Sequence, residues 1–198
     1  MAQKAKRKKK KRRTTSSWKK KEWYTVVAPK EFDSKEVANT PATKPELLQD
    51  RVIKVPLRDL TGKMSHQTKK VLFKVKEVKG KTAHTQTAGF EMVNEQLKRN
   101  VRRGRSMVKL VGEFDSKNGE TAKITAHAFL VSRVNTSKKD QIRNLMADSL
   151  QKRAKEMVLN DLFRKSLFGE LPIQVKKDVR AICPVRRVVI NKFKVLGV

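Results

Sequence analysis

Carboxylates are scarce in this 198-residue chain, with 19 Asp and Glu against 49 Lys and Arg. No pair of them can be nominated for acid and base roles, so an enzyme, whether acting on a small molecule or on RNA, is not expected. Cysteine is rarer still. Cys183 alone can form no internal disulfide and cannot supply a multi-cysteine metal site, which makes a reducing compartment the natural setting. Its place before Pro184 suits a small buried hydrophobe. The eight glycines form no phosphate-cradling loop, since Gly104 and Gly112 stand isolated, and neither a nucleophile elbow nor an HExxH pair occurs. His66, His84 and His127 lie on separate segments without ligand spacing, so neither a metal nor a cofactor is expected. There is no long apolar run, no lipidation signal, and no apolar stretch behind the basic N-terminus. A membrane partner and a secretory signal are therefore not indicated.

What the chain has is positive charge, a formal +30 at pH 7. A free protein so charged repels itself, and the composition makes sense beside a polyanion. Twelve of the cations fall in residues 1–22: Lys4, Lys6, Arg7, Lys8, Lys9, Lys10, Lys11, Arg12, Arg13, Lys19, Lys20 and Lys21, with Glu22 the one acid. The block from Lys4 to Arg13 has no apolar residue but Ala5. It cannot offset its own ordering entropy and is expected to be disordered until it meets its partner. A solvated charge run or a nuclear address is the plainer alternative for it. The rest of the chain carries 37 basic and 18 acidic residues, so the body is basic as well. An apolar fraction of 37% allows one modest core. The expected organisation is a basic RNA-binding extension at 1–17 and a single α+β domain at 18–198.

The folded body begins where Trp18, Trp23, Tyr24, Val26 and Val27 bring apolar and aromatic groups. Aromatic rings among lysines could stack on bases, but the extended run Tyr24 to Val27 favours anchoring against the core. Pro29 to Pro45 reads as a loop. Arg51 to Leu60 reads as a strand with Pro56 at an edge or bulge, and Val71 to Val78 with Lys81 to Ala88 as a hairpin turning at Gly80-Lys81. Phe90, Val93, Leu97 and Val101 fall at helical spacing and predict a helix from Phe90 to Gly104. Met107 to Phe114 and Thr121 to Val131 form a second hairpin, signalled by Asn118-Gly119. The long helix that follows is expected to be capped by Ser137 with Asp140 as reciprocal partner, and to bury Ile142, Leu145, Met146, Ser149, Leu150, Met157 and Val158. A helical turn from Asn160 to Phe168 should end at Gly169, a further helix should open at Pro172, and a strand from Val185 to Leu196 closes the chain.

Charge clusters on this frame at Lys98, Arg99, Arg102, Arg103 and Arg105, at Lys138, Lys139 and Arg143, and at Arg186, Arg187, Lys192 and Lys194. Cations near the end of the predicted Phe90 helix complement its dipole, yet they exceed what capping needs. Together with the tail they are the candidate RNA-binding residues. With aromatics at 6% and no aromatic sheet motif of the single-strand readers, the pattern suits a protein that recognises the shape of folded RNA. The alternative is a free basic nucleic-acid-binding protein, chromatin-like or an RNA chaperone.

The residues also carry a resemblance. Lys20-Lys21-Glu22-Trp23-Tyr24 with Ala28-Pro29 and Phe32, then Arg51-Val52 leading to Leu57 to Leu60, resembles the opening of the archaeal and eukaryotic small-subunit ribosomal protein family S-one-e, also called S-three-a-e. Lys139-Asp140-Gln141-Ile142-Arg143 resembles its Gln-Ile-Arg signature. The closing pattern is similar to Ile182-Cys183-Pro184-Val185-Arg186-Arg187-Val188-Val189-Ile190 with Lys192, Lys194, Val195 and Leu196. The likeness runs in order from Trp18 to Leu196. The stretch Glu170 to Ile182 is shorter than the family's, Val185 stands where Leu is expected, and no long extension follows Leu196, a feature more archaeal than eukaryotic. The resemblance implies a β-barrel-like mixed sheet with flanking helices. It implies a cytoplasmic place on the platform of the small subunit near the messenger RNA exit, in contact with small-subunit ribosomal RNA and messenger RNA. Neighbouring platform proteins, including universal small-subunit protein eleven, are implied partners too.

Overall fold

A computed structural model describes residues 17–196. The predicted tail cations Lys4 to Arg13 lie outside the described residues. Eight strands form one mixed sheet. They are β1 (Glu22–Val27), β2 (Glu36–Ala42), β3 (Val52–Pro56), β4 (Lys69–Lys79), β5 (Thr82–Met92), β6 (Met107–Asp115), β7 (Thr121–Leu130) and β8 (Val185–Val195). The helices are α1 (Leu57–Thr61), α2 (Asn94–Asn100), α3 (Thr136–Glu156), α4 (Leu159–Phe168) and α5 (Glu170–Val179).

The sheet branches at β5. On one side β4 pairs with it antiparallel along nearly its whole length, and β3 lies beyond β4. On the other side β1 runs parallel to Thr82, Ala83 and His84, while β8 runs antiparallel to Gly89, Phe90 and Glu91. Outward from β1 lies β2; outward from β8 lie β7 and then β6. The branch needs a glycine. Gly89 has a φ of 144°, and a Cβ there would sit 2.0 Å from the backbone oxygen of Phe193 on β8.

Because β2, β3 and β6 each pair on one side only, the sheet is open, and the barrel-like closure implied by the family resemblance is not formed. Closure would need a ladder between edge strands. Instead Arg143 of α3 donates through Nε to the carbonyl of Lys109 at 3.3 Å, so that a helix side chain covers part of the β6 edge.

Helices α3, α4 and α5 cover one face of the sheet. Ile142, Met146, Leu150 and Ala154 of α3 lie in one core cluster with Leu162, Phe163 and Leu167 of α4 and Val175 and Val179 of α5. Phe90 and Phe193 stack at 5.9 Å across the β5–β8 junction, and Phe163 meets both edge-on at 5.6 to 5.8 Å. Cys183 is buried, as its context suggests. A small cluster of Met92, Phe129 and Val189, with Leu97 of α2 packed on it, sits apart from the main core.

Several local expectations hold. The Asn118-Gly119 hairpin, the β4–β5 hairpin, the stop at Gly169 and the terminal strand are all present. Others change. The stretch Pro29 to Pro45 contains β2, whose Pro41 is tolerated on an edge strand because its outer side needs no donor. The strand expected to run to Leu60 ends at Pro56, where Leu57 and Leu60 bury together at helical spacing in α1. The helix expected from Phe90 is confined to Asn94–Asn100, because Phe90 and Met92 stay in β5 and Val101 is already extended. The long helix starts at Thr136 with Asn135 before it and no side-chain cap; Asp140 pairs with Arg143 rather than closing a capping box with Ser137. Met157 and Val158 lie beyond its end.

Candidate nucleic-acid interface

The antiparallel ladders bring one end of β4, β5, β6, β7 and β8 together. Lys69 opens β4, Met92 closes β5, Met107 opens β6, Leu130 closes β7 and Val185 opens β8, all at the same end of the sheet. The loops leaving these strands are tied to one another. The Ser106 amide donates to Ser132 O at 3.2 Å, the Val134 amide to Ser106 Oγ at 3.2 Å, and the Val131 amide to Pro184 O at 3.2 Å. Three stretches distant in sequence are thereby fixed side by side.

Those stretches carry most of the body's predicted RNA-binding residues. Lys98 and Arg99 stand in the last turn of α2, where they complement its dipole. Arg102, Arg103 and Arg105 follow on the loop, past any role in capping that helix, and all five are exposed. Lys138 and Lys139 stand in the opposite position, in the first turn of α3, which has no acid. Cations there oppose the positive end of the helix dipole, so helix stability does not account for them. Arg133 joins them on the preceding loop, exposed, and Arg186 and Arg187 begin β8. Among the described residues none of these side chains except Arg143 makes an ion pair; Arg143 is engaged with Asp140 and the β6 edge. Arg143 is thus a bracing residue more than a free cation.

Other predicted residues lie elsewhere. Lys192 and Lys194 face away from the helices and line a groove with Lys54, Lys74, Glu91 and Asp50. That groove is half neutralised, by Lys54 on Glu91 at 2.7 Å and Lys74 on Asp50 at 3.0 Å. Lys19, Lys20 and Lys21 are exposed just before β1, which runs parallel to β5 and so begins at the other end of the sheet. The tryptophans beside them do not anchor against the core. Trp18 is 59% and Trp23 60% exposed, their rings meet edge to face at 6.5 Å, and Lys21 Nζ lies 4.8 Å from the Trp18 ring. Tyr24, Val26 and Ala28 do the anchoring.

Sequence reading missed two cations that complete the basic end, Lys69 and Lys176. Together with Arg187 they line a cleft of about 360 Å³ between the α4–α5 junction and the part of β8 that runs past the end of β5. Lys69 donates to the carbonyl of Leu167 and lies 5.6 Å from the Phe90 ring. Burial, and then the nearby charge of Arg187, lower its pKa to about 8. Nothing in the local sequence marks either lysine, because the cleft joins three segments.

The histidines stay plain. His127 is buried, with burial and then Lys109 lowering its pKa, and among the described residues neither ring nitrogen has a partner. Burial, Lys63 and Lys69 lower that of His66, whose Nδ1 is 2.9 Å from Thr61 Oγ1. Among the described residues no cluster of His, Cys, Asp and Glu could hold a metal ion, and no helix is long and apolar enough to cross a membrane.

Comparison with known proteins agrees with this picture of a basic, non-catalytic body. The small ribosomal subunit protein eS1 of Methanothrix thermoacetophila is 33% identical over 176 residues, covering 89% of this chain and 83% of that protein. The protein of the same name from Desulfurococcus amylolyticus is 33% identical over 175 residues, 88% of this chain and 82% of its own. That of Aeropyrum pernix is 34% identical over 181 residues, 89% and 85%. Residues 9–198 match the ribosomal S3Ae family, and the chain belongs to that family.

Proposed function

We propose that this protein is a structural constituent of the small ribosomal subunit, and that it grips ribosomal RNA chiefly through the basic end of its sheet. The names of its relatives support the seat in the small subunit, and with it a cytoplasmic place. Family membership also supports a structural role rather than an enzymatic one. The observation that carries the RNA-binding surface is the convergence of unpaired cations. Arg102, Arg103, Arg105, Arg133, Lys138, Lys139 and Arg186 come from three stretches whose loops are tied together by hydrogen bonds, and their charge serves no ion pair within the described body. Phosphate groups would release counterions on meeting them and hold the protein in register. The basic extension, joined to the body at the other end of the sheet, is a second, separate point of contact with the same RNA. The finer placement, on the platform near the messenger RNA exit and beside universal small-subunit protein eleven, rests on the family resemblance.

Sedimentation of a cell lysate tests the reading. Stoichiometric comigration with small subunits through moderate salt is expected. A protein found at the top of the gradient or on DNA would instead be a free nucleic-acid binder.

A further inference from the structure

Among the described residues the cleft beneath the basic end has no carboxylate in its wall. Its cations, Lys69, Lys176 and Arg187, come from β4, α5 and β8. Two of them repel each other, for Arg187 acts on Lys69 through its charge while burial disfavours the same ammonium. Holding like charges in a partly dry recess costs the free fold stability, and an anion placed there would recover it. Two further groups are left unanswered. Ser166 Oγ is buried without a partner among the described residues, and its residue lines the cleft. Helix α5 opens at Gly169, which offers no side-chain cap to the free amides of the first turn. The remaining wall is apolar: Met92, Phe168, Pro172, Ile173 and Val189. Phe168 and Ile173 are large and exposed although they sit beside this recess. A volume of about 360 Å³ lies at the lower end of small-ligand sites. It admits a single planar group with an anion, and excludes a duplex.

We propose that this cleft takes one unstacked nucleotide of an RNA strand, with its phosphate on Lys176, Arg187 and Lys69 and its base against Phe168 and Ile173. The inference rests on the RNA-binding reading above and adds to it a defined pocket. RNA is favoured over an acidic protein segment because Arg187 of the cleft adjoins Arg186 and the exposed, unpaired cations of the basic end, a run of positive charge longer than the cleft itself and suited to a polyanion strand. The joining of cations to an apolar wall also distinguishes it from a bare anion site, in which a base would add nothing.

Ultraviolet cross-linking of intact small subunits, followed by tryptic mapping, is the decisive experiment. Lys165 and Lys176 bound a tryptic peptide, Ser166 to Lys176, that contains much of the cleft wall. A nucleotide adduct on this peptide is expected, and in the K176E/R187E double variant, where trypsin cuts next at Lys177, the adduct yield on the corresponding peptide Ser166 to Lys177 should fall by at least about tenfold, the factor that one charge-assisted hydrogen bond supplies. Both replaced residues are at least partly solvent-exposed, and a melting temperature of the variant no lower than that of the unaltered protein confirms that its body is folded. In parallel, methyl NMR of the free full-length protein is followed while uridine 5′-monophosphate, adenosine 5′-monophosphate and inorganic phosphate are added. Shifts at Ile173, Val189 and Met92 with a nucleotide at concentrations where phosphate alone has no effect would support the pocket. Equal response to phosphate alone would overturn it in favour of an anion site. RNA adducts confined to the loops at Arg102 to Arg105 would overturn the cleft yet leave the RNA-binding reading standing, and a cross-link from the cleft to a neighbouring protein would assign it to that partner. The complete absence of RNA adducts would overturn the RNA-binding reading itself.

Discussion

The two ends of the sheet are built from the same strands and differ in how their charge is treated. At the end where β6 and β8 begin, the described loops carry exposed arginines and lysines without acidic partners. At the other end, where exposed Lys19, Lys20 and Lys21 also enter, the hairpin turns mix signs and pair them: Lys79 lies 3.4 Å from Glu77, Lys81 4.0 Å from Glu22, and Lys123 2.9 Å from Glu113. Surface pairs of this kind contribute little, typically ~0–1 kcal/mol each, but they leave no net field at the turn. A surface that only had to be soluble could have been treated alike at both ends. The contrast between the loops and the turns supports the proposal that the unpaired loops are kept positive for a partner outside the molecule.

The comparison can be broken most severely at the joint that holds the ends in one sheet. Gly89→Ala places a methyl group on the Phe193 carbonyl and is expected to destabilise the body by more than about 3 kcal/mol, seen as a fall in melting temperature of roughly 6 °C or more. An unperturbed melting curve would mean that β8 does not cross so closely. Next comes charge. Reversal of Arg102, Arg103 and Arg105 to Glu should weaken binding to small-subunit ribosomal RNA by a hundredfold or more, roughly, and flatten the log–log salt dependence by about 2 to 3. The same reversal at Lys79 and Lys81 should do almost nothing, and equal effects at the two ends would erase the distinction drawn above. Deletion of residues 1–17 should also flatten the salt dependence while leaving the melting temperature of the body in place. An unchanged slope would mean that the tail never meets RNA.

A gentler probe is pH. The folded pKa of Lys69, about 8, lies below its ordinary value of 10.5. Between those values the unfolded chain holds a proton that the native state has released, so stability should rise with pH across that window, and the penalty of the buried charge is fully present below it. Arg187→Gln removes one of the two causes and should move the Lys69 titration upward, as read from its side-chain NMR signal. A titration that does not move would deny the contact. The smallest effect is expected at the paired end, where Lys123→Ala should change stability by no more than about 0.5 kcal/mol in a chemical denaturation curve.

Elements whose cause is local were legible in the sequence. Asn118-Gly119 dictates its turn wherever the strands go, Gly169 ends α4 in the left-handed conformation, and the alternation in Val71 to Val75 needs only one buried face. Errors came where a neighbour overruled a local pattern. Phe90 fits a helical spacing with Val93 and Leu97, but stacking on Phe193 keeps it in β5. Pro41 reads as a loop residue until β1 supplies a partner on one side only. Trp18 and Trp23 look like anchors by size, and yet the core was already filled by Tyr24 and Val26.

The candidate site divides in the same way. That the chain is a polyanion binder without catalytic groups follows from 49 cations, 19 acids and one cysteine, because net charge and missing chemistry are properties of composition. The cations from Arg102 to Arg105 stand out in the chain because they are contiguous. What only the tertiary structure decided is which cations act together. Lys69, Lys176 and Arg187 are separated by up to 118 residues of chain and meet because β5 ends early and leaves a gap beside β8. Distance along the chain carries no information about such a meeting; it is fixed by the order of strands, and strand order is set by long-range packing rather than by local sequence.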